Sequence, residues 1–419
     1  MIKNGKNLDD LQDLNRAFII RYLAMHEGCS RTDVARAAGL RQASITKIMH
    51  ALMEGGVAVE TGFTEGLKGR RSIGLALNYS RNLVLGLKIS WERLVVGVFD
   101  LKGRVHGEAF SSPIDGRLRY ASADAAVDTI IRVVADLRRR HPGIIAMGAA
   151  VPGPFHRAGG SVYLPAPGAE NNHRYYPFLE KLREAIDLPI VMDHDANAGG
   201  LAYWWFRGNC DTRMALLYLL ASEGVGGGVV AKGQIFTGQR GHSAEIGHII
   251  IDAGGRDCVC GGRGCLDAYA SSLAVERRAL DLLPSYPHSS LADRERIGID
   301  AVFAAMRQGD ELAVRLVRDA GNSMGHGLAS LIPVFDPDLV VVGDLMAGGG
   351  DLLLEGINES VDRLLSPFYR KPRIVLTDPE DDLVLLGSAT IAIDHVFNNP
   401  TKLLMAEDGI AAGRENEKP

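Results

Sequence analysis

From about residue 83 onward the sequence repeats one order of elements twice, and this repeat constrains the fold more than any other feature. Each round opens with apolar stretches joined by a Lys-Gly turn, first at Lys102-Gly103 and then at Lys232-Gly233. The predicted strands span 83–90, 94–100, 105–110, 144–151, 189–192, 214–221, 225–231, 339–342 and 373–376, and the predicted helices span 120–140, 177–186 and a last one from about 385. Two such rounds predict a two-lobed α/β fold with a ligand cleft between the lobes.

Length and composition predict more than one domain. At 419 residues the chain is too long for a single ordinary core, and its content of 46% hydrophobic and 23% charged residues is typical of a globular protein. No apolar run reaches the roughly 18 residues that a membrane span needs. The polar N-terminus lacks a hydrophobic signal region. These features predict a cytoplasmic protein with no membrane partner.

A run of cysteines between Glu245 and Asp267 predicts a metal site. Cys258, Cys260 and Cys265 lie within eight residues, and His248 lies ten residues upstream of the first. Three thiolates and one imidazole form a closed tetrahedral set for structural zinc. The intervening glycines allow the loop to turn so that the sulfurs face one point. The alternative is a chance group of cysteines in a glycine-rich loop, but the spacing favours zinc.

The N-terminal segment predicts a helix-turn-helix. Apolar residues recur at helical spacing over 8–26, and Ser30 with Asp33 then begins a second helix as a capping pair. A turn at Gly39-Leu40 leads to a third helix over about 42–54. Two short helices joined by a glycine-containing turn are typical of this DNA-binding motif.

Two predicted strands, over 57–61 and 72–77, follow as a wing with a basic tip between them. Residues 1–80 carry eleven Lys and Arg against eight Asp and Glu, whereas the rest of the chain is acidic. The alternative is a small helical bundle for protein contacts, but the order of elements favours binding to double-stranded DNA. The candidate DNA contacts lie at the start of the third helix and at the wing tip: Arg41, Gln42, Ser44, Thr46, Lys47, Lys68, Arg70 and Arg71.

Four polar or glycine-rich stretches are candidates to line the cleft. Asp193-His194-Asp195-Ala-Asn197 follows an apolar strand, where a carboxylate can accept a hydrogen bond from a ligand hydroxyl or begin a helix as its cap. Ser222-Glu223-Gly224-Val-Gly-Gly-Gly228 is a glycine-rich turn of the kind that binds phosphate. Glu245 with His248 forms the third stretch, and Val342-Gly343-Asp344 the fourth.

Together these motifs resemble the ROK family, which groups transcriptional repressors with sugar kinases. Glu245-Ile-Gly-His248 followed by the cysteine run is highly specific to that family, and the match extends over about residues 10–397. The N-terminal helices and the Gly-Arg-Arg wing resemble its regulator branch. The resemblance implies an actin-like ATPase (RNase H-like) α/β fold with an N-terminal winged helix-turn-helix domain. It also implies structural Zn²⁺ at His248, Cys258, Cys260 and Cys265, and a sugar or sugar phosphate as effector.

The kinase motifs of the family are altered in this chain. Where the kinases carry Asp-X-Gly-Gly-Thr, this chain has Lys88-Ile-Ser-Trp-Glu92, and where they carry Gly-Thr-Gly it has Ser222-Glu-Gly224. Phosphoryl transfer depends on neutralising phosphate charge, and a carboxylate such as Glu223 opposes it. We therefore expect no useful kinase activity, although Asp195, the family's catalytic base position, is retained.

The sugar-binding motif also differs from that of the kinases. His194 stands where the kinases have Asn, and the shorter Asp267 stands where they have Glu after the last zinc cysteine. Because a polar site discriminates by leaving unmatched groups unpaired, these changes predict a different ligand preference. The candidate effector residues are His194, Asp195, Asn197, Glu245, His248 and Asp267.

The leading hypothesis is a sugar-responsive transcriptional regulator, most simply a repressor, which acts as a homodimer or homotetramer. The alternatives are an active sugar kinase with an added DNA-binding domain and a regulator controlled by a protein partner. The predicted domains are a winged helix-turn-helix at 1–80, a first lobe at 81–195 joined by the helix 383–398, a second lobe at 196–382 and a disordered tail at 399–419.

Overall fold

The computed structural model describes residues 8–65, 71–115, 117–166, 173–208, 213–239, 241, 243–400 and 403. Two predicted wing residues, Lys68 and Arg70, lie outside the described residues, as does most of the predicted tail. Leu403 is described within that tail and is buried. Across the described part of the chain, every helix is too short or too polar to cross a membrane.

The N-terminal part consists of three helices and a small antiparallel sheet. The elements are α1 (Leu8–Met25), α2 (Arg31–Ala38), α3 (Gln42–Glu54), β1 (Cys29–Ser30), β2 (Ala58–Glu65) and β3 (Arg71–Leu77), and the strand order is β1-β3-β2. The predicted cap of the second helix is present, because the Ser30 hydroxyl accepts from the Asp33 amide at 3.2 Å and the Asp33 carboxylate accepts from the Ser30 amide at 3.0 Å. Gly39 ends α2 in the left-handed region at φ 64°.

The first lobe is built on a five-stranded sheet. Its elements are β4 (Leu83–Ile89), β5 (Arg93–Asp100), β6 (Phe110–Pro113), α4 (Ala123–Arg140), β7 (Ile144–Val151), β8 (Phe155–His156), β9 (Ser161–Pro165), β10 (His173–Tyr176), α5 (Phe178–Ala185) and β11 (Ile190–His194). The main sheet has the order β11-β7-β4-β5-β6, and β8, β9 and β10 form a separate antiparallel sheet.

The second lobe repeats this plan. Its elements are α6 (Asp195–Phe206), β12 (Ala215–Ala221), β13 (Val225–Ala231), β14 (Gln234–Ile235), α7 (Asp267–Ala270), α8 (Ser272–Leu282), α9 (Ile299–Arg307), α10 (Glu311–Phe335), β15 (Leu339–Gly343), α11 (Gly350–Leu364) and β16 (Arg373–Leu376). The sheet order is β14-β13-β12-β15-β16. The final helix, α12 (Leu383–Asn398), returns to pack on the sheet of the first lobe.

The two main sheets share one topology. In each, three consecutive strands form an antiparallel meander, a later strand pairs in parallel with the first of them, and a last strand pairs in parallel with that one. This is the twofold repeat that the sequence predicts. Parallel strands place their carboxyl ends at one edge of a sheet, so the ends of β11 and β15 are suited to line a cleft.

One predicted strand is wrong. The sequence predicts a strand over 105–110, whereas the third strand of the meander is β6, Phe110–Pro113. Val105 makes only an isolated bridge to Phe99, and 54% of its surface is exposed. Gly103 and Gly107 both adopt positive φ, which bends the chain between β5 and β6. The alternating apolar residues of 105–110 therefore do not pack against a core, which is why the segment does not form a strand.

Helices α6 and α12 lie between the two lobes and pack closely on each other. A Cβ atom at Gly387 of α12 would lie 2.1 Å from the Ala198 carbonyl oxygen of α6, so only glycine permits this approach. The buried core around them combines α6 and α12 with Tyr218 of β12 and Val341 of β15. The N-terminal end of each helix therefore lies at the junction of the two sheets.

Helix α12 also carries the N-terminal part of the chain. Ile20 and Leu23 of α1 share one buried core with Ile393 and Phe397 of α12. At the edge of this core the Arg21 guanidinium pairs with the Asp394 carboxylate at 2.5 Å. The N-terminal helices are thus packed onto the first lobe rather than attached only through the chain.

Candidate functional site

The structure brings the four predicted metal ligands together. One ligand atom from each of His248, Cys258, Cys260 and Cys265 lies within 4.8 Å of the others. His248 Nδ1 and Cys258 Sγ are 3.7 Å apart, and the Sγ atoms of Cys260 and Cys265 are also 3.7 Å apart. A tetrahedral zinc with Zn–S bonds of about 2.3 Å holds two sulfurs about 3.8 Å apart. The donor set and its spacing therefore fit zinc.

Backbone geometry explains why the loop converges. Gly264 has a φ of 74°, and a Cβ atom there would lie 1.7 Å from the Asp252 carbonyl oxygen. This close contact lets Cys265 pair with Ile250 as an isolated antiparallel bridge. The Gly262 amide donates to the Cys260 sulfur at 3.4 Å, an interaction that favours a thiolate. Burial raises the pKa of the Cys258 thiol to about 12, so metal binding there displaces a proton.

His194 and Glu245 meet beside Gly153, between the lobes. A Cβ atom at Gly153 would lie 2.6 Å from His194 Nε2 and 3.7 Å from Glu245 Oε1. Glu245 precedes a short 3₁₀ turn, Ile246–His248, which leads directly into the first zinc ligand. The retained Glu-Ile-Gly-His motif thus joins the metal loop to the cleft.

Asp195 is the first residue of α6, where it follows the last strand of the first lobe. The helix cap position is His194, so the capping role that the sequence left open as an alternative for Asp195 is not observed. Its carboxylate accepts from the Ala196 amide at 2.7 Å and lies 3.4 Å from His194 Nε2. Burial raises its pKa, His194 and Lys88 oppose that shift, and Asp344 adds to it. The carboxylate is held at the helix N-terminus with its other oxygen available to a ligand.

Asn197 is placed differently from its predicted neighbours, one turn into α6 and buried. Its amide donates to Asp193 Oδ1 at 2.9 Å, and the second oxygen of Asp193 lies 2.9 Å from the Arg157 guanidinium. Asn197 Oδ1 is buried and has no hydrogen-bond partner among the described residues. The sequence predicts no supporting role for Asp193 or Arg157. The position of Asp193 at the end of an apolar strand is the one sequence feature that could have indicated such a role.

Asp267 links the metal loop to the glycine-rich turn. Its Oδ1 accepts from the Val225 amide at 2.7 Å and would lie 3.1 Å from a Cβ atom at Gly224. Burial raises the pKa of Asp267, and the Val225 amide and His248 both oppose the shift. Asp267 therefore contacts the backbone of the turn directly, whereas its predicted contact with a sugar remains a proposal.

Lys88 forms a bridge between the lobes at the inner end of the cleft. Its Nζ lies 2.9 Å from Asp382 Oδ1, at the start of α12, and 3.6 Å from Asp344 Oδ2, at the end of β15. Asp344 in turn accepts from the Ser222 hydroxyl at 3.1 Å. Burial lowers the pKa of Lys88, but Asp382, Asp344 and Asp195 outweigh it and the net shift is upward. Lys88 is therefore charged and paired.

A second bridge joins the lobes at the altered glycine-rich turn. The Arg117 guanidinium, in the first lobe, pairs with the Glu223 carboxylate in the second. Burial raises the pKa of Glu223, and Arg117 opposes that shift. Lys88 and Glu223, one from each of the two stretches predicted to be altered kinase motifs, thus carry ion pairs across the cleft.

The predicted DNA contacts on α3 form an exposed face. Ile45, Met49 and Leu52 are fully buried on the opposite side. Thr46 donates to the Gln42 carbonyl at 3.0 Å, and Gln42 donates to Thr32 of α2 at 3.1 Å, so the start of α3 is ordered by its own polar groups. Arg41, Gln42, Ser44, Thr46 and Lys47 are all exposed. Arg71 begins β3 next to the segment that lies outside the described residues.

The sequence matches a known family model over most of its length. The model of the ROK family matches residues 85–395. The chain belongs to the ROK family. Among curated relatives, the xylose repressor of Caldicellulosiruptor bescii is 25% identical over 93% of this chain and 98% of its own. The DNA-binding transcriptional dual regulator NagC of Escherichia coli K12 is 27% identical over 94% of this chain and 95% of its own.

Solved structures agree on the fold. A ROK family transcriptional regulator described as a homolog of the E. coli MLC protein superposes with a TM-score of 0.79, at 22% identity, over 94% of this chain and 99% of that one. A ROK family glucokinase from Streptomyces griseus, in complex with glucose and AMPPNP, gives a TM-score of 0.65 at 27% identity over 74% of this chain and 99% of its own. The predicted family and the predicted actin-like α/β fold with an N-terminal helical domain are confirmed.

Proposed function

We propose that this ROK family protein is a sugar-responsive transcriptional repressor of carbohydrate uptake or catabolism genes and lacks useful kinase activity. The observation that carries the proposal is the extent of similarity. The regulator-type relatives align with 93% of the chain or more, including the N-terminal helices, whereas the glucokinase structure aligns with 74%. The exposed polar face of α3 supports the same conclusion.

DNA binding is assigned to the start of α3. Its exposed residues lie where a recognition helix contacts base edges and phosphates in the major groove. Arg41 and Lys47 supply positive charge there, and Gln42, Ser44 and Thr46 supply hydrogen-bonding groups. The wing residues Lys68, Arg70 and Arg71 are proposed to contact the backbone or minor groove beside it.

The effector is assigned to the cleft between the lobes. His194, Asp195 and Glu245 converge there, and Asn197 is proposed to belong to the same site through its hydrogen bond to Asp193. His248 and Asp267 connect this group to the metal loop. In this proposal zinc, held by His248 and the three cysteines, has a structural role and fixes the loop that ends at Asp267.

Helix α12 offers a physical route from the cleft to the DNA-binding helices. It begins at the Lys88 bridge and ends in the core that it shares with α1. A ligand that changes the angle between the lobes would therefore move α12 and the helices packed on it. In a homodimer or homotetramer this movement changes the spacing of the recognition helices, which must match the spacing of operator half-sites.

The DNA assignment is tested with Lys47→Ala. Operator sequences are first selected from random double-stranded DNA with the full-length protein, and affinity is then measured at several salt concentrations. We expect the variant to bind more weakly and the slope of log affinity against log salt to fall by about 1, the value for one lost phosphate contact. Lys371→Ala removes the same charge from an exposed ion pair on the second lobe and serves as the control. Equal loss in both variants would contradict the assignment.

The kinase alternative is tested separately. Sugar-dependent ATP turnover is measured with a coupled assay across a panel of hexoses and pentoses. The ion pairs of Lys88 and Glu223 lead us to expect no turnover above background. Turnover at ordinary kinase rates of about 1–100 per second would refute the regulator-only proposal.

A further inference from the structure

The inner end of the cleft carries more negative than positive charge. Three carboxylates, from Asp195, Asp344 and Asp382, interact with the single ammonium of Lys88. Lys88 lies within salt-bridge distance of two of them, at 2.9 and 3.6 Å. His194 faces Asp195 at 3.4 Å and is the other titratable group in contact with this carboxylate. The cluster is thus anionic around a fully engaged cation.

The cations that border the cleft are also engaged. Arg117 is paired with Glu223 at the glycine-rich turn, and Arg157 is paired with the buried Asp193 below the start of α6. An incoming phosphate would have to compete with these carboxylates for each cation. A phosphate bound at the inner end would also lie close to Asp195 and Asp344 in a partly buried space, where like charges repel more strongly than in water.

A hydroxyl group faces none of these penalties. Asp195 has a second carboxylate oxygen that accepts no hydrogen bond from a described residue, and the Glu245 carboxylate lies beside Gly153 with His194. Both are suited to O–H donors, which a sugar supplies and a phosphate dianion does not. The hydrogen-bonding groups and the charge of the cleft therefore favour the same ligand class.

We infer that the effector is a neutral, unphosphorylated sugar, and that the carboxylates around Lys88 reject its phosphate esters. This inference rests on the proposed function, in which the cleft binds a sugar. It narrows the effector from sugar or sugar phosphate to one class. It also assigns Asp344 and Asp382 as specificity-determining residues, because their ion pairs with Lys88 keep that ammonium from binding a phosphate.

The test compares each sugar with its own esters. Full-length protein is titrated by calorimetry with glucose, mannose, N-acetylglucosamine and xylose, and with the available 1-phosphate and terminal phosphate of each. We expect a neutral sugar to bind and its phosphate esters to bind at least tenfold more weakly. A phosphate ester that binds as tightly as its parent sugar, or more tightly, overturns the inference but leaves the proposed function intact. If no sugar and no ester binds, the proposed sugar site fails, and the inference fails with it.

A pair of isosteric substitutions tests whether the carboxylates of Asp344 and Asp382 cause the weaker binding of phosphate esters. Asp344→Asn with Asp382→Asn removes two negative charges while keeping an oxygen acceptor for the amides of Leu345 and Leu385. We expect the ester to gain at least fivefold in affinity relative to the neutral sugar. Asp362→Asn, at an exposed ion pair on α11, is the matched control and should leave the ratio unchanged. An unchanged ratio in the double variant would show that these carboxylates do not set the selection; if the double variant fails to fold, the wild-type ratio still decides.

Discussion

The metal loop and the inner cleft contrast in how they handle charge. In the loop, four ligand atoms, three of them thiol sulfurs, converge within 4.8 Å of one another. In the cleft, the carboxylates of Asp344 and Asp382 already share the ammonium of Lys88. The metal loop is arranged to bind a metal cation from solution, whereas the inner cleft already contains a cation, the ammonium of Lys88.

This difference separates two ways of joining distant parts of the fold. A bound metal holds together residues that are close in the chain, and its removal takes away the contacts that order the loop. An internal ion pair ties together the two lobes, and it needs no cofactor or nucleotide to do so. We expect the loop to respond to chelators and the cleft to respond to charge-changing substitutions.

The largest effect is expected from Cys258→Ser. We expect about one zinc per chain in the wild-type protein, and because zinc needs its full ligand set the variant should lose most of it. Elemental analysis of both proteins checks this. We expect a loss of unfolding free energy of about 3 kcal/mol or more. This is less than the ~10–16 kcal/mol of small zinc peptides because the rest of the second lobe holds the loop ends.

Cys29→Ser is the matched control for this prediction, since Cys29 is half-buried in the N-terminal part and is remote from the ligand set. It should keep its zinc. Unchanged zinc content in the Cys258 variant would refute the metal assignment. A strong chelator should reproduce the loss of stability in wild-type protein and have no further effect on the variant.

A smaller effect is expected from Lys88→Met, which leaves Asp344 and Asp382 without their shared cation. Breaking a fully buried pair costs about 3–5 kcal/mol, and since Asp382 is partly exposed we expect about 2 kcal/mol here. The fold raises the pKa of Lys88, so its contribution is complete below the unfolded-state pKa near 10.4 and is lost as pH rises through the folded value. Urea unfolding of the wild-type protein and the variant at pH 7 measures the loss of stability. The same comparison above pH 11 shows whether the difference between them disappears.

Lys102→Met provides the comparison for that measurement. Lys102 pairs with Glu27 at 2.6 Å, but both side chains are more than two-fifths exposed. An exposed pair of this kind contributes about 0–1 kcal/mol. Equal losses in the two variants would contradict the bridging role of Lys88.

The same two regions show what the sequence could predict. The candidate metal ligands could be identified because three of the four lie within eight residues and because cysteine has few other roles at such spacing. The partners of Lys88 were not identifiable, since Asp382 lies 294 residues further along the chain and only the folded sheets bring the two together. The sequence predicts an altered phosphate motif at Lys88 but gives no sign of the partners that Lys88 has in the fold.

The secondary structure shows the same difference between features set by nearby residues and features set by distant contacts. Strands with strong apolar patterns were predicted to the residue, as for Ile144–Val151 and Val225–Ala231. The error at 105–110 arose because local alternation cannot tell whether a core is present to receive it. The role of Asn197 was also not predictable, because its amide is oriented by Asp193, a contact made only when α6 forms on β11.

The smallest effect is expected at the second bridge, between Arg117 and Glu223. Burial raises the pKa of Glu223, so its ionised form is disfavoured in the fold, and Glu223→Gln at pH 7 should change stability little. Arg117→Gln removes the compensating cation and should destabilise by about 1 kcal/mol. In a double-mutant cycle the two changes should couple by about 0.5–1 kcal/mol, since the Arg117 side chain is more than a third exposed. A coupling as large as the loss from Lys88→Met would mean that the outer bridge, rather than the inner one, holds the lobes together.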